Sequence, residues 1–155
     1  MKIVSGGQTG VDLAALEFAL DHGILHGGWV PKGRTNEAGG IPLRFDNLTE
    51  TKTRDVSERT KLNVRSSDAT LIFVDGSISP GTQLTIEFAA EIGRPHLVVD
   101  VRDGVDSCAR RVSVWMKSVP IGTLNVAGPR ASEAPKIGTR VRAILQRSLD
   151  TDTDK

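Results

Sequence analysis

Met1-Lys2-Ile3-Val4-Ser5-Gly6-Gly7-Gln8-Thr9-Gly10-Val11-Asp12-Leu13-Ala14-Ala15-Leu16 is the stretch that decides the fold. A short apolar run feeds a glycine-rich turn, and the turn feeds an amphipathic helical pattern. Glycine lets the backbone turn tightly and approach a ligand closely. The first N–H groups of a helix lack intrahelical partners, and the macrodipole behind them favours an oxyanion. Strand, glycine turn and helix in this order predict a phosphate or carboxylate site near residue 10. Its candidate cradle is Gly6, Gly7, Gln8, Thr9 and Gly10. A bulky residue at Gly7 should then block the ligand without unfolding the protein.

The spacing excludes two common versions of such a loop. G-x-G-x-x-G is missing, and no acid stands in His26–Val30, where a ribose-binding carboxylate would fall. No Lys-Ser/Thr pair follows Gly10, so the loop is not a Walker A motif. Thr9 and Asp12 have capping-box spacing with Asp in place of Glu. A capped turn alone does not need two adjacent glycines, which favours a ligand.

Outward from this unit, strand-like and helix-like runs alternate. Ile3–Ser5 reads as strand and Asp12–His22 as helix, with Gly23 as C-cap. His26–Val30 reads as a weaker strand. Residues 31–56 hold Gly33, Gly39-Gly40 and Pro42 without periodicity and read as one long loop, a kind that is usually functional or disordered. Ser57–Ser66 reads as helix with Ser57 as N-cap. Ala69–Asp75 is a buried strand, Gly76–Gly81 a turn and Thr82–Ile92 a helix. Pro95–Val101 is strand, Val105–Lys117 helix, Thr123–Ala127 strand and Ala134–Leu149 the last helix, with Ser132 a candidate cap. The tail, residues 150–155, is polar and should be disordered. Alternating βα units predict one α/β domain over residues 1–149: a doubly wound, mostly parallel, Rossmann-like sheet with helices on both faces. Such folds bind ligands at the carboxyl ends of their strands.

Composition narrows the function. The 155 residues are 38% hydrophobic and 25% charged, as in an ordinary soluble domain. A net charge of +1 gives no bulk electrostatic case for nucleic acid or an acidic membrane. Cys108 is alone, and His22, His26 and His96 have no metal-ligand spacing, so no protein-ligated metal is expected. Apolar runs are far shorter than the roughly 20 residues of a membrane span. With a strand pattern beginning at residue 2, no signal peptide is expected, and the location should be cytoplasmic.

Further candidates gather near the same sheet edge. Lys32, Gly33 and Arg34 follow the second strand, while Arg59 and Asn63 share a helix face. Gly81 and Thr82 open a second strand–turn–helix unit facing the first. Glu87 and Asp75 are the acids nearest that turn, although a surface role for Glu87 is the simpler reading. Asn125 lies in an apolar strand and needs a partner, which could be a ligand or the protein itself. Gly128 and Arg130 follow it.

Five blocks together resemble the molybdenum carrier family. They are Gly6–Asp12, Gly27–Arg34, Glu58–Thr60 with Asn63–Arg65, Ser67–Thr70, and Leu124–Arg130, running in order along residues 1 to about 147. That family is similar to the Rossmann-like group holding the lonely-guy phosphoribohydrolases and DNA-processing protein A. It is also similar to algal carriers of the molybdenum cofactor, a pterin bearing a phosphate and oxo-molybdenum. The resemblance implies a phosphorylated, nucleotide-sized ligand, with molybdenum cofactor leading, and a homo-oligomer (dimer or tetramer).

One departure bears on chemistry. Lonely-guy hydrolases carry P-G-G-x-G-T-x-x-E with a catalytic glutamate. Here Pro80-Gly81-Thr82-Gln83-Leu84-Thr85 puts Thr85 at that position. Glu87 is two residues late, which rotates it by about 200° on a helix. The favoured reading is therefore a carrier, with Lys32, Arg34, Arg59 and Arg130 as counter-charges and Asp12 and Asn63 as orienters. The alternative is an N-glycosidase, phosphoribohydrolase or deoxyribosyltransferase using Glu87 or Asp75. A single-stranded-DNA-binding module comes third.

Overall fold

The computed structural model describes residues 1–150; residues 151–155, most of the expected tail, lie outside the described residues. The first unit is β1 (Lys2–Val4) and α1 (Val11–Asp21), followed by β2 (Leu25–Gly27). Two short strands, β3 (Trp29–Val30) and β6 (Thr49–Glu50), flank β4 (Thr35–Asn36) and β5 (Gly39–Gly40). Then come α2 (Val56–Arg65), β7 (Ala69–Val74), α3 (Pro80–Glu91), β8 (His96–Asp100), α4 (Val105–Ser118), β9 (Thr123–Ala127) and α5 (Ile137–Asp150).

The main sheet has order β2-β1-β9-β7-β8, and all its pairs are parallel. Right-handed crossovers then sort the helices. The steps β1→β2 and β8→β9 run one way across the sheet, putting α1 and α4 on one face, where α5 packs against both. The steps β2→β7 and β7→β8 run the other way, putting α2 and α3 together on the opposite face. The expected α/β, Rossmann-like sheet with helices on both faces is the observed architecture. Among the described residues no helix is long and apolar enough to cross a membrane.

The larger core lies under α1, α4 and α5, where Ile3, Leu71, Phe73, Leu124 and Val126 meet Phe18, Val112, Ile144 and Leu145. A smaller one under α2 and α3 centres on Val64 and Phe88. All six residues of β7 are buried, which explains its unbroken apolar run.

Several local expectations change. The run His26–Val30 is two strands, because the chain breaks at Gly28 (φ 130°) and Trp29 and Val30 pair with Thr49 and Glu50. Residues 31–56 are ordered rather than one featureless loop: β4 and β5 form a small hairpin, and Val30, Ile41 and Phe45 bury against Leu16. Asp55, not Ser57, caps α2; its Oδ1 accepts the Ser57 N–H at 2.9 Å. Helix α3 starts at Pro80 behind a Ser79 cap, since proline is well placed in a first turn. Helix α5 starts at Ile137 rather than Ala134, and Ser132 gives its hydroxyl to Glu37 at 2.6 Å instead of capping it.

Candidate functional site

The carboxyl ends of β1, β9 and β7 open into a cavity of about 310 Å³. Its walls come from four places: the loop after β1, α2, the start of α3 and the end of β9. This volume is at the lower end of the usual small-ligand range. Of the residues singled out in the sequence, the lining includes Gly6, Gln8, Asp12, Arg59, Asn63, Gly81, Thr82, Asn125, Gly128 and Arg130.

Two adjacent glycines in this loop do different work. A Cβ on Gly6 would lie 2.6 Å from Arg59 Cδ and 3.0 Å from Asp12 Oδ2, so this glycine lets both side chains close over the loop. Arg59 Nη1 also donates to the Gly6 carbonyl at 3.3 Å. Gly7 (φ 75°) turns away from the cavity, and a Cβ there would meet Ile41 Cδ1 at 2.8 Å and Val30 Cγ1 at 2.9 Å. The expectation that a bulky Gly7 would spare the fold is therefore corrected.

The start of α1 is occupied from within. Gly10 (φ 79°) is the N-cap and no side chain caps the helix. Val11 N–H donates to Pro129 O at 3.3 Å, and Leu13 N–H to Gln8 O at 3.0 Å. Thr9 and Asp12 do not form the expected capping box. Thr9 gives its hydroxyl to Glu37 and accepts the Ala131 N–H at 3.0 Å, while Asp12 Oδ2 accepts the Gln8 N–H at 3.2 Å. Gln8 Oε1 accepts from Thr9 N–H and Glu37 N–H. Neither Thr9 nor Gly10 lines the cavity.

Asp12 is the buried acid of the site, 8% exposed. Burial raises its pKa from 3.8 to about 6, against the opposing pull of Arg59 and of the Gln8 and Gly6 N–H groups. A raised carboxyl pKa means stability is greatest below the unfolded value and is lost as pH rises through the folded one. At about 1.4 kcal/mol per unit, that loss is about 3 kcal/mol. Asp12→Asn should therefore be more stable than the unmodified protein above pH 7, with the difference vanishing below pH 4. Urea midpoints of both across pH 4–8 check this.

The polar side chains of α2 and β9 are anchored by the protein. Asn63 accepts the Trp29 N–H at 2.8 Å and donates to Trp29 O at 3.0 Å, holding β3 to α2. Asn125 finds its partner in Thr70, donating at 3.4 Å. At the start of α3, Ser79 Oγ donates to Thr82 Oγ1 at 3.1 Å, and Thr85 donates to Gly81 O at 3.2 Å.

Other candidates lie elsewhere. Lys32, Gly33 and Arg34 are absent from the lining because the chain turns off at Gly28. Arg34 ties down its own loop through Pro42 O and Phe45 O, and Gly33 N–H goes to Glu50. Glu87 is exposed and accepts from Gln83 Nε2 at 2.9 Å. Asp75 is also exposed and outside the lining. Thr85 takes the cavity-facing position instead.

Glu37 is the residue sequence reasoning missed. Its carboxylate takes the Ser132 hydroxyl and N–H and the Thr9 hydroxyl, and these bonds hold its pKa below the usual range. It thus ties the hairpin, the loop after β1 and the loop after β9 together. Arg130 stands 3.7 Å from it and 3.6 Å from Glu133. Among the described residues, no group of three or more His, Cys, Asp or Glu could hold a metal ion.

Comparison with known proteins agrees with the architecture. The crystal structure at 1.45 Å resolution of a "Putative molybdenum carrier protein" from Syntrophus aciditrophicus SB matches with a TM-score of 0.92. The two sequences are 44% identical over 96% of this chain and 94% of that one. No curated protein matches the chain. The resemblance to the molybdenum carrier family, read from the motif blocks, is borne out. With residues 3–149 matching its sequence profile, the chain belongs to the circularly permutated YpsA SLOG family.

Proposed function

We propose that this protein is a carrier that holds a phosphorylated, ring-bearing small molecule in the crevice, with molybdenum cofactor as the leading ligand and a nucleotide as its closest chemical relative. One observation carries the reading. The cavity has a buried carboxylate from α1, the start of α3, and apolar side chains such as Pro80 and Leu84 in its lining. This distribution suits a flat ring with an anionic tail. The relative's name supplies molybdenum. With no side-chain cluster for a bare metal among the described residues, the metal would travel chelated by its organic ligand.

Charge decides the orientation. The α1 amides of Val11 and Leu13 are spent on Pro129 O and Gln8 O, and the Asp12 carboxylate repels a phosphate dianion. The phosphate therefore goes to the start of α3, near Ser79, Gly81 and Thr82. The ring lies toward Gly6 and Asp12. An N-glycosidase reading has less support, since Glu87 and Asp75 lie outside the lining.

Native mass spectrometry after incubation with the molybdenum cofactor, GMP or molybdate tests this. Retention of the cofactor or GMP at one equivalent supports it. Retention of molybdate alone overturns it.

A further inference from the structure

Asp12 has a feature that a structural acid does not need. It is buried at the cavity wall, yet no Lys, Arg or His nitrogen lies within 4 Å of it among the described residues. Its hydrogen-bond partner is a backbone one, the Gln8 N–H on Oδ2, with the Gly6 N–H also nearby. Among the described residues no side-chain donor bonds either oxygen. A carboxylate accepts about four hydrogen bonds, so unused acceptor capacity faces the cavity. That capacity is open at the cavity wall, where a ligand can supply the donors. The groups facing Asp12 agree. Arg59 on α2 leans over Gly6 with its guanidinium on the Gly6 carbonyl, while Arg130 and Glu133 are occupied with each other.

We propose that Asp12 selects the ligand by accepting paired N–H donors from a 2-amino-4-oxopyrimidine ring, the edge shared by guanine and pterins. This deepens the functional reading above and rests on it. A neutral sugar diol offers weaker donors for a desolvated carboxylate, whereas a ring N–H and its neighbouring amino group present two parallel ones. The apolar side chains of Pro80 and Leu84 in the same lining suit the faces of such a ring. A site built around a hydrogen bond discriminates strongly against an analogue lacking the donor, because its own acceptor is left unpaired.

Calorimetry with GMP, 2′-deoxy-GMP, IMP and 6-hydroxymethylpterin tests the assignment on the unmodified protein and Asp12→Asn. The asparagine can keep an oxygen toward the Gln8 N–H while turning a donor to the ligand. GMP should bind at least tenfold more tightly than IMP, which lacks the amino group, and 2′-deoxy-GMP should bind like GMP. In Asp12→Asn, GMP should fall to the level of IMP, and IMP should lose less because it gives up only its ring N–H bond, while an unchanged melting temperature reports an intact fold. The pterin should compete with GMP only in the unmodified protein if both rings use this edge; competition in both proteins overturns the shared edge. Equal GMP and IMP affinities, or equal losses of both in the variant, overturn the role of Asp12 while leaving the carrier reading standing. A loss confined to 2′-deoxy-GMP assigns Asp12 to the ribose and also overturns it. No binding of any probe overturns the carrier reading as well.

Discussion

Gly6→Ala should weaken GMP binding about 30- to 100-fold with little change in melting temperature, and Gly7→Ala should do the opposite. At Gly6 the backbone conformation is open to any residue, and the new methyl meets side chains: Arg59 Cδ at 2.6 Å and Asp12 Oδ2 at 3.0 Å. Arg59 can swing outward from α2, so the fold absorbs the change. The site loses two placed polar groups at about 1–1.5 kcal/mol each, which is roughly 30- to 100-fold in affinity. At Gly7 the φ of 75° is itself costly for alanine, about 1–2 kcal/mol. The methyl also overpacks Ile41 and Val30, adding about 1–3 kcal/mol. A melting temperature lower by about 5–15 °C follows at this chain length. Calorimetry and thermal melts of both variants check the contrast; identical phenotypes would show that the two glycines share one role.

Gly28→Ala should cost more stability than Gly7→Ala, about 2–6 kcal/mol. Its φ is 130°, and a Cβ would lie 2.2 Å from Ser5 O and 2.9 Å from Ser5 N. Both are backbone atoms at the end of β1, a strand held by β2 on one side and β9 on the other, so neither can move aside. Strain of about 1–3 kcal/mol adds to overpacking of similar size. Against a typical total of about 5–15 kcal/mol, the urea midpoint should fall by roughly a fifth to a half. An unchanged midpoint would mean the bend between β2 and β3 can relax, and with it the position of the hairpin over the site.

Much of the architecture was legible in the opening residues and in the runs that repeat their pattern. Ala69–Val74 reads as a central strand because it is β-branched and apolar without alternation, and it is buried on both faces. The break at Gly28 was less legible, although Gly27-Gly28 inside a strand pattern marks a bend. The place of residues 31–56 in the fold was harder to read, because the bonds that tie the segment to the site are distant in sequence. Asn36 Nδ2 reaches Gly7 O across 29 residues, and Glu37 reaches Ser132 across 95.

The site divided in the same way. Asn63 and Asn125 stood out as amides in apolar patterns, but only the fold shows that Trp29 and Thr70 are their partners. Lys32 and Arg34 were placed at the site on the assumption that residues 26–30 form one strand of the main sheet. Helical register argued for Thr85 over Glu87, and Thr85 is the one in the lining. One bond at the start of α1 is invisible at short range: the Pro129 carbonyl, far along the chain, takes the Val11 amide.

The crevice itself is tested most directly by amide chemical shifts of the ¹⁵N-labelled protein during a GMP titration. The largest changes should fall on Gly6, Gln8, Gly81, Thr82 and Gly128, from three separate segments that come together at this cavity. Changes confined to the shallow groove between α1 and α5, at Gly138 and Thr139, would place the ligand elsewhere and contradict the assignment.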